Sequence, residues 1–225
     1  MAKVSLTDDE MIDLSIEVAW GKGRLMRPAR YNKFEKCGDE LVEKVNALNP
    51  DFVLDLGCGD NQYSDKIQNL MGIDLVNKRA DLLCDYRYME DFDDGCADVV
   101  MSLGSINFGD DKRIREGLES AYRLLKPGGL LIMRGNMNEH KGKMYYGWSI
   151  ERIHKWTEHF NFNMEVEPCE VRRLTAEGKV HDKWPDRTGQ RVRAAEEAIP
   201  GVNPYFWLNK RSNVRLYWEW SKKNV

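Results

Sequence analysis

An acid followed by two closely spaced glycines marks the first place in this chain where chemistry can be done. The segment is Val53-Leu54-Asp55-Leu56-Gly57-Cys58-Gly59-Asp60-Asn61. An apolar run enters a glycine loop, and a short helix is expected to follow at about residues 62–69. Gly57 and Gly59 let the chain turn tightly and let a ligand approach the backbone. The helix would offer its N-terminal amides. A dinucleotide fingerprint reads G-x-G-x-x-G. Its third glycine falls here on Gln62, which weakens a nicotinamide reading. Asp55 instead can receive an ammonium group and would repel a pyrophosphate.

Two further acids recur at related places. Gly72-Ile73-Asp74-Leu75 ends a second apolar run, and Leu83-Cys84-Asp85-Tyr86 ends a third. An acid like Asp74 can hydrogen-bond ribose hydroxyls. Asp85 can accept from an adenine amino group while Tyr86 packs on the ring. Taken singly, each acid reads equally as a helix cap or a solvated turn, and a lone Gly-x-Gly as a turn. Taken together, a glycine loop and two acids at successive strand ends describe a nucleoside site.

The elements that must position these residues follow from periodicity. Short apolar runs at Phe52–Leu56, Met71–Leu75, Asp81–Cys84, Ala97–Leu103 and Leu130–Arg134 read as strands. A helix at about 110–125 is stopped by Lys126-Pro127-Gly128-Gly129. Strands alternating with crossovers imply an α/β fold with a mostly parallel sheet and helices on its faces. All three acids would then lie at strand C-termini, the edge where open α/β sheets bind ligands. Upstream, Thr7-Asp8-Asp9-Glu10 fits a capping box, and a second helix is expected from Lys33 to Leu48. We divide the chain into an N-terminal helical extension, 1–50, and a domain, 51–225. Downstream come a helix at Ser149–Phe160, a strand at about Asn163–Leu174, and a hairpin of Tyr205–Asn209 with Val214–Trp220. In that last strand Leu216, Trp218 and Trp220 alternate with Arg215, Tyr217 and Glu219, so one face is expected buried and the other wetter.

Composition excludes several classes. The chain has 225 residues, 42% hydrophobic and 32% charged, with net charge −3. That is a globular profile, and no apolar run is long enough for a transmembrane helix. The five cysteines are odd in number and lack Cys-x-x-Cys spacing, so neither a disulfide framework nor a zinc site is expected. With no signal peptide at the start, a cytoplasmic location is expected. Charge is uneven: residues 1–133 hold 17 basic and 25 acidic side chains, residues 134–225 hold 17 basic and 12 acidic.

Val53–Asn61 resembles motif I of the class I, Rossmann-like S-adenosylmethionine-dependent methyltransferases. Asp74 matches their ribose-binding acid and Asp85 their adenine-binding position. Ala97–Leu103 is similar to their fourth strand, and Leu124-Leu125-Lys126-Pro127-Gly128-Gly129-Leu130-Leu131 to the approach to their fifth. The resemblance covers about residues 50–135. It implies a Rossmann-like, mostly parallel seven-stranded sheet with a C-terminal antiparallel hairpin, S-adenosyl-L-methionine as cofactor, and methyl transfer. The residues it implies for the cofactor are Asp55, Gly57, Gly59, Asn61, Asp74, Leu75, Asp85, Tyr86 and Ser102. Two departures stand out. Asn61 replaces a glycine, a change that asparagine's tolerance of positive φ accommodates. The link Val76–Ala80 is too short for a helix, which would leave the adenine side open.

The family has no universal catalytic residue, so the acceptor side is read from the residues alone. Ser102–Phe108 and Gly135–Trp148 should flank it. His140, Glu139, Tyr145 and Tyr146 can supply a base or orient an acceptor, and each reads equally as a surface or packing residue. The fourth strand ends Ser102-Leu103-Gly104-Ser105, unlike amino-group DNA methyltransferases. Cys169 stands far from where a C5-type nucleophile belongs. Residues 175–203 read as an insertion or lid, basic in part and carrying Trp184. Three functions follow: a methyltransferase on a small-molecule acceptor, one on RNA or another nucleic acid, or a non-catalytic S-adenosylmethionine-binding module acting through a partner. No membrane partner and no metal is expected.

Overall fold

The computed structural model describes residues 7–17, 34–137, 145–175, 177–180 and 214–224. These build a seven-stranded sheet. In chain order its strands are β1 (Val53–Leu56), β2 (Leu70–Asp74), β3 (Leu82–Leu83), β4 (Ala97–Ser102), β5 (Leu125–Gly135), β6 (Phe162–Arg172) and β7 (Val214–Lys222). Their spatial order is β3-β2-β1-β4-β5-β7-β6. The first five run parallel, and β7 lies antiparallel between β5 and β6. The chain order reverses between β1 and β4. An open sheet of this kind leaves a crevice there at the strand C-termini.

Both faces of the sheet are covered. On one face Leu54, Leu56, Val100, Leu131 and Met133 meet Ile114, Leu118 and Ala121 of α3 (Asp111–Leu124) and Ile153 and Trp156 of α4 (Ile150–Phe160). On the other, Val53, Val99, Met101 and Ile132 meet Leu41 and Val45 of α2 (Asp39–Ala47), together with Phe34, Tyr63 and Ile67. The central strands read as continuous apolar runs because both faces are dry. Helix starts are set by polar caps: Asp110 accepts from the Arg113 amide at 3.1 Å, and Ser149 from that of Arg152 at 3.3 Å. The N-terminal α1 (Asp8–Ile16) opens on the expected capping box, with the Thr7 hydroxyl and Glu10 bonded reciprocally.

Three local expectations fail. The helix at about 62–69 is a run of turns. Asn61 and Asn69 both adopt left-handed backbone, at φ 50° and 55°, and only Tyr63 and Ile67 insert into the core. Two asparagines that leave helical space cannot frame a stable helix of that length. The second helix starts at Asp39, not Lys33: Lys36 has φ 60°, and Phe34 instead bridges Arg173. The wet face of the last strand is dry. Tyr217 and Glu219 are 2% exposed, because Lys44 of α2 reaches across to Glu219 at 2.6 Å and neutralises it. The last strand pairs with β5 and β6 in the described residues, while Tyr205–Asn209 lies outside them. No described helix is long and apolar enough to cross a membrane.

Candidate functional site

Motif I forms the floor of a cleft at the β1/β4 crevice. Gly57 (φ 73°) and Gly59 (φ 60°) both need left-handed backbone. Their surroundings differ. A Cβ on Gly57 would fall inside contact distance of Ser105, whereas one on Gly59 meets nothing within 4 Å. Gly57 is therefore a close crossing of two chain segments, and Gly59 borders open space. Ser105 holds that crossing, donating to the Leu56 carbonyl and pairing with Ser102 Oγ at 2.8 Å.

The loop amides do not face the cleft. Gly57 and Cys58 both donate to the Ile73 carbonyl, at 2.7 and 2.9 Å. Gly59 donates to Asp74 Oδ2 at 3.0 Å. With no helix after the loop, the expected N-terminal amides are missing as well. The cleft wall is acidic instead. Asp55, Asp74, Asp85, Leu75 and Tyr86 all line it. Asp74, at the end of β2, is 8% exposed and also accepts from the Val76 and Asn77 amides, each at 2.9 Å. Asp85 is gripped by Arg87, whose Nε lies 3.0 Å from Oδ2 and whose Nη2 lies 2.6 Å away. Burial works against the Arg87 charge, but Asp85 and Asp13 outweigh it and hold the guanidinium protonated. The Tyr86 hydroxyl donates to the Ser105 carbonyl at 2.9 Å, and burial pushes its ionisation well up.

Asp55 is 3% exposed and makes no hydrogen bond to any described residue. Burial pushes its carboxyl up to about 7; Arg134 pulls it down and Asp74 pushes it further up. Cys58 also lines the cleft. Burial and the neighbouring Asp55, Asp74 and Asp81 charges hold its thiol well above the ordinary value, which favours the protonated form.

The side left open by the short β2–β3 link is covered. Asp9 and Asp13, one turn apart on α1, reach Arg113 of α3, the former at 3.1 Å. They also approach Arg87 at 3.9 and 3.5 Å. Ile16, near the end of α1, lines the cleft. The short link therefore does not leave this end of the cleft open: α1 latches over it.

Two expected residues stand outside the cleft lining. Asn61 keeps its positive φ but turns its side chain to the Arg79 carbonyl and Asp81, at 3.0 and 3.1 Å. It presses on Gly72, where a Cβ would strike Asn61 Oδ1. Ser102 is 1% exposed and braces the turn after β4, accepting from the Ile106 amide at 3.0 Å. Tyr146 is a packing residue: it is 4% exposed, its hydroxyl accepts from Trp156 Nε1 at 3.1 Å, and burial pushes its ionisation up to about 12. It is no base. Tyr145 stacks near Phe108, a cleft residue, with ring centroids 5.1 Å apart. Glu139, His140 and most of 175–203 lie outside the described residues. Sequence reasoning missed Arg134, Arg113 and Ile16 as cleft residues. Arg134 alone left a signal, a cation ending the apolar run Leu130-Leu131-Ile132-Met133.

Residues 54–133, spanning β1 to β5, match the family described as methyltransferase domain. Over that span, just over a third of its length, the chain is similar to a methyltransferase domain. Solved structures agree on the fold. The 1,6-didemethyltoxoflavin-N1-methyltransferase of Burkholderia thailandensis superposes with a TM-score of 0.57 at 13% identity, covering 100% of this chain and 93% of that one. The [4+2]-cyclase SpnF gives 0.58 at 14%, covering 99% and 98%. A SAM-dependent methyltransferase of Archaeoglobus fulgidus gives 0.50 at 17%, covering 82% and 94%. No curated protein sequence matches the chain. S-adenosylmethionine is the cofactor of this domain class. The residues present fit it, because an acidic cleft wall beside the open space at Gly59 suits a cation of that size. Among the described residues, no group of three His, Cys, Asp or Glu is placed to hold a metal ion.

Proposed function

We propose that the chain is an S-adenosylmethionine-dependent methyltransferase acting on a small-molecule acceptor in the cytoplasm. One observation carries this reading. The glycine loop directs its amides into the sheet and leaves in the cleft a carboxylate, Asp55, that accepts from no described residue. A phosphate cradle needs those amides free. A wall of carboxylates favours a ligand with positive charge, and the donor carries a sulfonium and an ammonium. The bound donor supplies a methyl group already activated toward displacement.

The chain's own residues then have distinct tasks. An ionised carboxylate offers about four acceptor positions. Asp74 has given three to backbone amides, so its Oδ2 keeps one for a ribose hydroxyl. Asp85, fixed by Arg87, retains capacity for the adenine amino group, and Tyr86 and Leu75 pack against the base and sugar. Ile16 and Arg113 screen that end from water. What remains is alignment of acceptor, methyl carbon and sulfur, a proximity effect. A base is needed only for a hydroxyl or a protonated amine. His140 and Glu139 remain the candidates for it. The segment 175–203 is the candidate for acceptor recognition.

The small-molecule reading is supported by the net charge of −3, since nucleic-acid binding rests on cationic surface. It is further supported by the Burkholderia thailandensis relative, solved with the small heterocycle 1,6-didemethyltoxoflavin. Fold alone does not decide chemistry, as a cyclase on the same fold illustrates. Calorimetry with S-adenosylmethionine and NAD should give binding to the first alone. Incubation with labelled methyl donor and a metabolite extract should then transfer label to small molecules. Label moving only to RNA, in a salt-sensitive way, would replace the acceptor half of the proposal. Binding without turnover in either pool would leave a cofactor-binding module, and absence of binding would end the reading.

A further inference from the structure

This inference rests on the methyl-transfer reading above and concerns the class of acceptor. The loop from β4 to α3, residues 103–110, is fixed almost residue by residue. Ser105 donates to the Leu56 carbonyl. The Ile106 amide donates to Ser102 Oγ at 3.0 Å, and the Ile106 carbonyl accepts from Trp148 Nε1 at 3.1 Å. The Asn107 side chain accepts from the Asn136 amide, and its carbonyl from the Tyr146 amide, each at 3.0 Å. Ile106 and Asn107 are both 1% exposed. Gly109 follows at φ 93°, where a Cβ would fall 2.7 Å from Arg113 Cδ. Between these anchors stands Phe108, half-buried and lining the cleft. Its backbone bridges Tyr145, and the two rings lie 5.1 Å apart with their planes tilted by 38°.

A loop pinned on both sides of Phe108 cannot swing that ring aside, so the ring is a fixed wall. The bridge to Tyr145 ties the chain after β4 to the chain after β5, and the acids of the cleft come from the ends of β1, β2 and β3 instead. Charge then narrows what the wall can meet. The cleft is lined by Asp55, Asp60, Asp74 and Asp85 against Arg113 and Arg134, an excess of carboxylate that disfavours an anion. A protonated amine would face the donor's sulfonium and has no lone pair to attack with. A neutral acceptor remains, and an aromatic side chain contributes most to a partner that is itself a flat ring. We propose that Phe108, backed by Tyr145, is the stacking platform for the acceptor, and that the acceptor is a neutral, planar aromatic or heteroaromatic small molecule. Phe108 is then a specificity residue. A flat ring laid on a fixed wall carries its nucleophilic atom at a set height, which is the alignment an in-line displacement needs.

The test uses two probes on protein saturated with S-adenosylhomocysteine: 2-naphthol and decahydro-2-naphthol. They share a skeleton and a hydroxyl, and only the first has aromatic faces. Wild-type protein should bind 2-naphthol at least about threefold more tightly, the scale of one aromatic pair. Phe108→Leu keeps apolar bulk and should erase that preference, while Phe108→Tyr should retain it. Calorimetry should give both variants the wild-type affinity for S-adenosylhomocysteine, which separates loss of the platform from loss of the fold. In a metabolite extract with labelled methyl donor, the labelled products should absorb in the near ultraviolet as ring compounds do. Equal wild-type affinity for the two probes, or binding of neither, would overturn the platform without any variant. So would a preference that survives Phe108→Leu, or labelled products that carry no ring. Should Phe108→Leu fail to fold, the wild-type comparison and the labelled products decide alone. If S-adenosylhomocysteine binds and the probes are not distinguished, only the platform fails. If S-adenosylhomocysteine does not bind, the cofactor reading fails and the platform with it.

Discussion

The two ends of the cleft are finished in opposite ways. At the end proposed for the nucleoside, the charges of Asp74, Asp85, Asp60 and Arg113 are already engaged. Asp74 holds three amides, Asp85 holds Arg87, Asp60 holds Arg79 at 2.9 Å, and Arg113 holds Asp9 and Asp13. At the other end, among the described residues, Asp55 accepts no hydrogen bond and Arg134 Nη1 has no oxygen acceptor. The first end is built to stand without a ligand, and its polar groups also hold the fold. The second carries an electrostatic cost until something binds. Carboxylates of the same type, one sheet edge apart, thus divide into structural and receptive by whether the backbone has claimed them.

Replacement of Asp74 should have the largest effect. Asp74→Ala removes acceptors from Gly59, Val76 and Asn77 at once, and hydrogen bonds to a charged group contribute about 1.5–3 kcal/mol each before relaxation. Stability and affinity should fall together, with thermal melting lowered and calorimetry showing no cofactor binding. A folded variant that binds normally would show that the nucleoside end is not where the donor sits.

Asp55→Asn should separate what Asp74 joins. The wild-type carboxyl titrates near 7 in the fold, above the ordinary value of about 3.9 in an unfolded chain. Between those values the folded chain keeps a proton that the unfolded chain has lost. Stability therefore falls as pH rises through that window, and the loss is complete above about pH 7. Asparagine removes the loss. The unliganded variant should melt like wild type near pH 4 and at least about 2–4 °C higher at pH 8. Its cofactor affinity should nevertheless drop by about 1.5–3 kcal/mol, because the ammonium loses a charged acceptor. In wild-type protein, affinity should weaken as pH falls below about 7 and Asp55 takes up its proton. Equal melting of the two proteins at pH 8 would show that Asp55 is not receptive in the sense argued.

The glycines sharpen the contrast at smaller scale. Gly59→Ala should cost only its positive φ, about 1–2 kcal/mol, since its Cβ meets nothing. Gly57→Ala pays the same strain and also drives into Ser105. Melting temperatures of the pair should separate clearly, with Gly57→Ala the lower. Equal values would mean that the turn after β4 yields freely.

What the sequence made legible was local. An acid and two glycines after an apolar strand, and acids ending the next two strands, are patterns within a few residues, and they led to the cleft. The Lys126-Pro127-Gly128-Gly129 stop likewise placed the end of α3. What it concealed was set by distant partners. Arg134 reads as an ordinary strand end until Phe34, a hundred residues earlier, covers it. Glu219 reads as solvent-facing until Lys44 reaches it across the sheet. Asn61 was assigned to the cofactor because it replaces a motif glycine. Its backbone conformation was foreseen, but its side chain turns toward Arg79 and Asp81, which only the folded β2–β3 link brings near.

The smallest expected effect belongs to the α1 latch, and it tests whether the nucleoside end is as self-sufficient as its bonding suggests. Asp9 and Asp13 are 47% and 38% exposed at the side chain, against 4% for Arg87 and 6% for Arg113. Pairs with one partner this open contribute about 0.2–1 kcal/mol. Arg87 keeps Asp85 and Glu116 when they go, and Arg113, which loses both its carboxylates, can still donate to the asparagine oxygens that replace them. The double change Asp9→Asn with Asp13→Asn should therefore leave the sheet intact and weaken cofactor binding by about 1 kcal/mol, roughly fivefold, as Ile16 withdraws from the cleft. Salt gives the control. At 1 M ionic strength the screening length is about 3 Å, so wild-type affinity should drop toward that of the variant, while the variant's own affinity changes little. If salt weakens both proteins equally, the latch is not electrostatic. The helix would then be held over the nucleoside end by buried Ile12 and the cleft residue Ile16 alone.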